Sequence, residues 1–453
     1  MRIAFVTETW KPSINGVVTR LSATIDELIA QGHEVLVIAP TVGGDDTETR
    51  PGLQVRRMPS VRIRFIYGGQ PWGLPLRRMR RMLASFDPDL VHVVAPALLG
   101  LGAVRAAKRL RVPLVASFHT DIAGYAKFYH LGFLAPFIWW WLRRLHNAAV
   151  SNLVTSSYSA RLLAEHGIQR VTHWRRGVDV RLFDPARRTR LRAWRWARDA
   201  EAAVGTAVET TTDATAGAAA GAEGPPLALY VGRLAWEKGL QRLESLVRSG
   251  AVQLQVVGDG PDRERLERVF DETPTRFVGS LIGVDLAVAY ANADLFVFPS
   301  TTETLGLVLL EAFASGLPIV AAESPASREL LAASPAARLF PADHPELAEQ
   351  AVHELLASGT AQELARIARD GVARWNWSSA TAGLIEEYRA VLDARSDASV
   401  ENRTDRRRPS MTNDLITARA DPPNADAVFR AHTDAAHPNV AVGTRNRGHG
   451  EVR

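Results

Sequence analysis

Leu295-Phe296-Val297-Phe298-Pro299-Ser300-Thr301-Thr302-Glu303-Thr304-Leu305-Gly306-Leu307-Val308-Leu309-Leu310-Glu311-Ala312 passes from an apolar tetrapeptide through a polar loop into a mostly apolar run. The tetrapeptide predicts a strand and the run 306–314 a helix. A strand apolar at every position is buried on both faces, the condition of a parallel strand covered by helices. The loop then sits at the carboxyl end of a parallel strand, where such sheets bind their ligands.

The same unit recurs on both sides. After it comes a strand over Pro318–Ala321; before it lie strands over Leu227–Val231 and Leu254–Val257. Helices are predicted near Leu240–Arg248, Arg263–Phe270 and Asp285–Ala291. The first 180 residues alternate in the same way, with strands at Ile3–Thr7, Val35–Ile38, Leu90–Val94 and Leu114–Phe118 and helices at Val17–Ala30 and Leu99–Arg109. Short apolar strands alternating with helices predict an α/β fold of two Rossmann-like, doubly wound domains facing each other across a cleft. The expected division is an N-terminal Rossmann-like domain, 1–183, and a second Rossmann-like domain, 227–380. Between them, 184–226 is rich in Ala, Thr and Gly and reads as a flexible linker. A helix over 381–395 is expected to pack back on the first domain, and the polar stretch 396–453 reads as a disordered tail.

The chain of 453 residues contains no cysteine, which excludes disulfides, thiolate nucleophiles and Cys-type zinc sites. No run reaches the ~18 apolar residues that span a bilayer, and the N-terminus enters a strand pattern directly, without a signal-peptide layout. A cytoplasmic protein, peripheral on the inner face of the plasma membrane, is the expectation. Residues 1–182 hold 24 Lys and Arg against 12 Asp and Glu, a balance of +12 that leaves −7 for the rest. A basic half points to an anionic partner.

Candidate site residues fall where strands end. Asn15-Gly16-Val17 opens the first helix, and glycine there lets the backbone approach a phosphate. His119 ends the strand Leu114–Phe118, placed to meet a sugar hydroxyl or orient reacting groups. Arg233 and Lys238 lie five apart on the loop after Leu227–Val231, suited to one diphosphate. They would neutralise the charge that builds on it as it leaves. Glu303 and Glu311 are eight residues apart, about 12 Å at helical rise. That suits two carboxylates gripping different parts of one elongated ligand. The backbone N–H groups of Thr304, Leu305 and Gly306 between them offer an anion-binding helix start. Asp87-Pro88-Asp89 has the look of a metal-binding DxD but precedes the strand Leu90–Val94 and reads as structural.

Together, Asn15-Gly16-Val17, Phe118-His119-Thr120-Asp121, Gly177-Val178-Asp179, Gly232-Arg233…Glu237-Lys238, Val257-Gly258-Asp259-Gly260-Pro261 and Glu303…Glu311 resemble the family-4 retaining glycosyltransferases of the GT-B fold. Pro96-Ala97-Leu98-Leu99-Gly100 and Trp174-Arg175-Arg176-Gly177-Val178-Asp179 resemble more closely the GDP-mannose-dependent α-mannosyltransferases acting on glycolipids. The chain is also similar to sulfoquinovosyl-diacylglycerol synthases, which use a UDP-sugar. The resemblance implies that Gly16, Arg233, Lys238, Glu303, Thr304, Leu305, Gly306 and Glu311 bind the nucleotide-sugar donor. His119 and Glu303 would serve catalysis, with Glu303 on the sugar hydroxyls and Glu311 on the ribose; Asp121 and Tyr125 would lie at the acceptor. It implies hexose transfer to a lipid, glycolipid or polysaccharide acceptor, with no cofactor and no metal.

Leu131–Arg144 carries three tryptophans flanked by arginine, and Arg77, Arg78, Arg80 and Arg81 add a basic patch. One reading is an interfacial anchor on an anionic membrane surface; the other is a helix buried in the first domain with a solvated basic end. A sugar-nucleotide epimerase can share the architecture but lacks reason for the paired Glu303…Glu311 and Arg233/Lys238 set. A non-enzymatic sugar-binding module would require a degenerate site, yet every expected polar residue is present. No nucleic-acid motif accompanies the basic half, and no nucleic-acid partner is expected.

Overall fold

Strands β1 (Arg2–Thr7), β2 (Glu34–Pro40), β3 (Thr49–Arg50), β4 (Leu53–Met58), β5 (Ser60–Arg62), β6 (Pro71–Gly73), β7 (Leu90–Val94), β8 (Leu114–Ser117), β9 (Ser151–Val154) and β10 (Val171–His173) build the first lobe. Its sheet runs β10-β9-β8-β7-β1-β2-β4-β3, with β5 and β6 as a separate hairpin. Every pairing is parallel except β3 with β4 and β5 with β6. The second lobe holds β11 (Leu227–Val231), β12 (Gln253–Val257), β13 (Thr275–Gly279), β14 (Leu295–Phe298), β15 (Ile319–Ala322) and β16 (Ala337–Phe340). These form an all-parallel sheet in the order β13-β12-β11-β14-β15-β16. The computed structural model describes residues 1–13, 15–42, 49–62, 71–128, 131–188 and 224–405, and residues 1–399 form one compact unit.

Both sheets wind outward from their first strand, one way and then the other. The winding reverses between β1 and β7 and between β11 and β14. At such reversals the loops leaving adjacent strands part and open a crevice at the carboxyl ends. The loops after β1, β11 and β14 carry most of the candidate residues, and the loop after β8 carries His119 and Asp121. The neighbouring strands β7, β14 and β15 have no exposed residue, and β14 and β15 are wholly apolar.

Several elements escaped the sequence patterns for physical reasons. β4 contains Arg56 and Arg57, yet Arg57 is buried, its guanidinium donating to the carbonyls of Pro40 (3.1 Å) and Lys11 (2.7 Å). β9 contains Ser151 and Asn152. Asn152 is buried because its amide donates to Gln169 O (2.7 Å) and its oxygen accepts from His146 Nδ1 (2.8 Å). The helix expected over 240–248 is a 3₁₀ segment, Leu240–Leu243, followed by a short α-helix, Glu244–Arg248.

Trp174 packs in the first core, whereas Val178 and Phe183 pack in the second, so the chain crosses between lobes before residue 183. Of the expected linker, 189–223 lies outside the described residues. The last helix, Trp377–Asp405, returns to the first lobe, where Leu384, Ile385 and Tyr388 pack with Ile3, Phe5 and Trp174. It runs past 396, so the expected tail begins as helix; 406–453 lies outside the described residues. Among the described residues no helix is long and apolar enough to cross a membrane.

Candidate active site

β11 delivers the loop Gly232–Lys238, closed by the 3₁₀ turn Trp236–Lys238. Glu237 is buried in that turn and accepts a hydrogen bond from Arg233 Nη2, which fixes the guanidinium. Lys238 Nζ donates to Glu303 Oε2 at 3.0 Å, joining the β11 loop to the β14 loop. The end of β12 presses on the same loop: a Cβ on Gly258 would stand 1.9 Å from the Gly232 carbonyl oxygen, so only glycine fits.

After β14, the loop reaches Gly306 in a left-handed conformation (φ 68°) before the helix Leu307–Ala314 begins. That turn gathers three successive N–H groups into one anion-binding concavity. Glu303 Oε1 fills it, accepting from Thr304 N (3.2 Å), Leu305 N (3.1 Å) and Gly306 N (3.2 Å). These donors, expected to lie open to a ligand, are taken by the neighbouring carboxylate. Burial pushes the Glu303 carboxyl up, but Lys238 and the Gly306 and Leu305 amides outweigh it and hold the group down at about 2. Glu303 is therefore ionised at neutral pH. Since the helix starts at Leu307, helical rise applies to only part of the Glu303–Glu311 separation.

Glu311 lies inside that helix and is buried. Its Oε2 accepts from the Tyr290 hydroxyl at 2.9 Å. Burial raises its pKa to about 7, with the Tyr290 bond opposing the rise.

The first lobe meets the β14 loop directly. Gly16 opens the helix Gly16–Ala30, capped by Asn15 Oδ1, which accepts from Val17 N (3.1 Å) and Val18 N (3.0 Å). A Cβ on Gly16 would stand 3.6 Å from Leu305 Cδ2 and 3.8 Å from Leu307 Cδ1, so this helix start faces the other lobe. His119 follows β8, and its carbonyl accepts a hydrogen bond from Thr304 Oγ1. Thr155 Oγ1 donates to Thr304 O at 3.0 Å. The His119 ring is buried, with Nε2 2.8 Å from Ser117 Oγ and Nδ1 without a partner among the described residues. Burial first, then Arg20, His92 and His146, hold it well below the usual histidine range, so the ring is neutral.

Gly16, His119, Lys238 and Glu303 thus converge on one loop, residues 303–307, and Arg233 lies one turn from Lys238. Glu311 lies in the helix that follows this loop, buried against Tyr290. Asp121 is differently employed: Oδ1 accepts from Gly124 N (2.7 Å), capping the helix Ile122–Phe128. Tyr125 lies on that helix, its side chain outside the described residues. Asp87 ends the helix Arg78–Phe86 in a left-handed turn and Asp89 accepts from Arg2 N (2.8 Å), so both are structural. Among the described residues no His, Asp and Glu side chains cluster as a metal site.

Sequence reasoning missed the bonds between lobes. Besides Thr155, Glu329 of the second lobe accepts from Ser157 N (2.8 Å) and Tyr158 N (3.3 Å), the start of the first-lobe helix Ser157–Glu165. Its other oxygen faces the guanidinium of Arg176 at 3.5 Å. These partners stand some 150 residues apart, and no local pattern announces them.

Two doubly wound lobes meeting through the loops after β1, β8, β11 and β14 define a GT-B protein. Residues 14–182 match Glycosyltransferase Family 4 and residues 225–358 match Glycosyl transferases group 1. A GDP-mannose-dependent alpha-mannosyltransferase of Mycobacterium tuberculosis is 38% identical over 405 residues, 87% of this chain and 98% of that protein. A sulfoquinovosyl transferase of Arabidopsis thaliana is 31% identical, over 84% of this chain and 71% of that protein. Among solved structures, a sucrose-phosphate synthase from Thermosynechococcus elongatus superposes with a TM-score of 0.67 at 20% identity, covering 87% of this chain and 99% of that one. The chain belongs to the family-4 retaining glycosyltransferases and is a glycosyltransferase enzyme.

Proposed function

We propose that the enzyme transfers mannose from GDP-mannose to a lipid or glycolipid acceptor, with retention and without a metal. The observation that carries this reading is the Lys238–Glu303 pair on the loop that Gly16 and His119 face from the other lobe. In it, Arg233 and Lys238 hold the diphosphate, and the ionised Glu303 accepts hydrogen bonds from sugar hydroxyls. The charge appearing on the departing diphosphate is met by two cations already oriented by Glu237 and Glu303, and preorganised charge of this kind lowers a barrier most. A phosphate oxygen takes the acceptor hydroxyl's proton as the acceptor oxygen bonds to the anomeric carbon from the same face. Glu311 receives the ribose hydroxyls. The choice of GDP-mannose over a UDP-sugar rests on the similarity to the mycobacterial mannosyltransferase.

The lipid acceptor has support from the surface. Phe133, Phe137 and Trp140 are exposed on and beside the helix Ala135–His146, whose last turn carries Arg143 and Arg144. Large apolar rings next to arginines suit the headgroup region of an anionic membrane, and we place the enzyme on the cytoplasmic face. Leu142 and Leu145 of the same helix are buried, so its other side packs into the first lobe. Thermal shift against GDP-mannose, UDP-glucose and UDP-sulfoquinovose tests the donor: a bound ligand raises the melting temperature. Stabilisation by GDP-mannose alone is expected; stabilisation by a UDP-sugar alone overturns the donor assignment.

A further inference from the structure

We propose that Tyr388, on the last helix, orders a buried proton relay through His92 and Ser117 that fixes the tautomer of His119, and is thereby a positioning residue for transfer. The proposal rests on the role given to His119 above. The chain of contacts is continuous: Tyr388 Oη to His92 Nδ1 is 2.6 Å, His92 Nε2 to Ser117 Oγ is 2.9 Å, and Ser117 Oγ to His119 Nε2 is 2.8 Å. All four residues are buried.

The direction of the relay follows from counting protons. Neither ring carries a second proton, because both are stripped of water and sit beside the buried Arg20 cation. Arg20 is held over the Trp174 ring at 3.8 Å and donates to the carbonyls of Trp174 (3.1 Å) and Arg175 (2.6 Å). Among the described residues the Tyr388 hydroxyl bonds only to His92. Either direction leaves one buried proton without an acceptor among the described residues, on Tyr388 Oη or on His119 Nδ1, a costly state; only the second is relieved by the sugar oxygen that His119 is assigned to meet, so Tyr388 donates to His92 Nδ1. His92 then has its single proton on Nε2 and donates to Ser117 Oγ. Ser117 donates onward to His119 Nε2, and His119 must carry its proton on Nδ1, since the hydrogen bond at one imidazole nitrogen decides the state of the other. That Nδ1–H is buried without a partner among the described residues. It is a preset donor for an oxygen of the bound sugar. The same last helix that closes the first lobe's core therefore sets the proton on a residue in the cleft.

The test uses the full chain with 15N-labelled histidine. His119 is assigned by loss of its signals in His119→Asn. The expected wild-type pattern is a protonated Nδ1 and a bare Nε2 on His119. Tyr388→Phe keeps the buried ring but removes the proton source; His119 becomes a mixture of tautomers, and kcat falls roughly 5- to 10-fold, the scale of one lost hydrogen bond, while donor KM stays within about 2-fold. Ser117→Ala interrupts the same relay, so its loss and that of Tyr388→Phe are non-additive in the double variant. An unchanged His119 nitrogen pattern in Tyr388→Phe, or fully additive losses, overturns the proposal. Full turnover by His119→Asn would instead contradict the role given to His119, leaving the nitrogen pattern to judge the relay by itself.

Discussion

Glu303 and Glu311 are two carboxyls on one strand–loop–helix unit driven to opposite ends of their range. Glu303 has three backbone N–H groups and Lys238 to stabilise its charge; Glu311 is buried with one hydroxyl for company. The signs for stability differ accordingly. The depressed Glu303 contributes stability above the ordinary carboxyl range, lost as pH falls toward about 2. The raised Glu311 contributes in its protonated form, and that contribution is lost as pH rises through about 7. Glu311→Gln is therefore expected to raise the melting temperature relative to wild type at pH 8 and to change it little at pH 5. Donor ribose hydroxyls favour the charged carboxylate, so nucleotide binding at pH 7 should release a proton, read by calorimetry in buffers of different ionisation enthalpy. Equal observed binding heats in all buffers, before any correction for buffer ionisation, would separate Glu311 from the ligand.

At the scale of elements, the loop 303–307 depends on one backbone conformation. Gly306 at φ 68° makes the three N–H groups converge, and a Cβ there would come within 2.8 Å of Leu330. Gly306→Ala is expected to cost about 1–3 kcal/mol of stability through left-handed strain and to lower kcat by releasing Glu303; a protein of unchanged melting temperature and turnover would contradict that. This unit was legible in the sequence because Leu295–Phe298 is wholly apolar and Ser300–Thr304 after it is wholly polar. The occupancy of its N–H groups was not, because only the fold of the loop brings Glu303 back onto its own successors. β4 and β9 were obscured by Arg57 and Asn152, whose burial is licensed by partners distant in sequence. Asp121 was readable as a polar group at a strand end, but not as a helix cap. Tyr388 gives no local signal: its partner is 296 residues away.

For the whole molecule, the two lobes are joined at the site by Thr304 with His119 and Thr155, and at its flank by Glu329 with Arg176 and the Ser157 helix. The apolar rings at Phe133, Phe137 and Trp140 lie on the first lobe, the lobe to which the acceptor is assigned. Replacing Phe133 and Phe137 by serine should weaken sedimentation with anionic vesicles while sparing donor binding; unchanged vesicle binding would remove the membrane contact from the account. The central claim is that one nucleotide-linked mannose is gripped by Lys238 and Glu303. Its most direct measurement is turnover of labelled GDP-mannose by Glu303→Ala and Lys238→Ala, each shown folded by circular dichroism and a cooperative melt. The account predicts that kcat/KM falls by at least ~100-fold in both, the scale for losing a preorganised charge contact; folded variants that transfer mannose at near wild-type rates would contradict it.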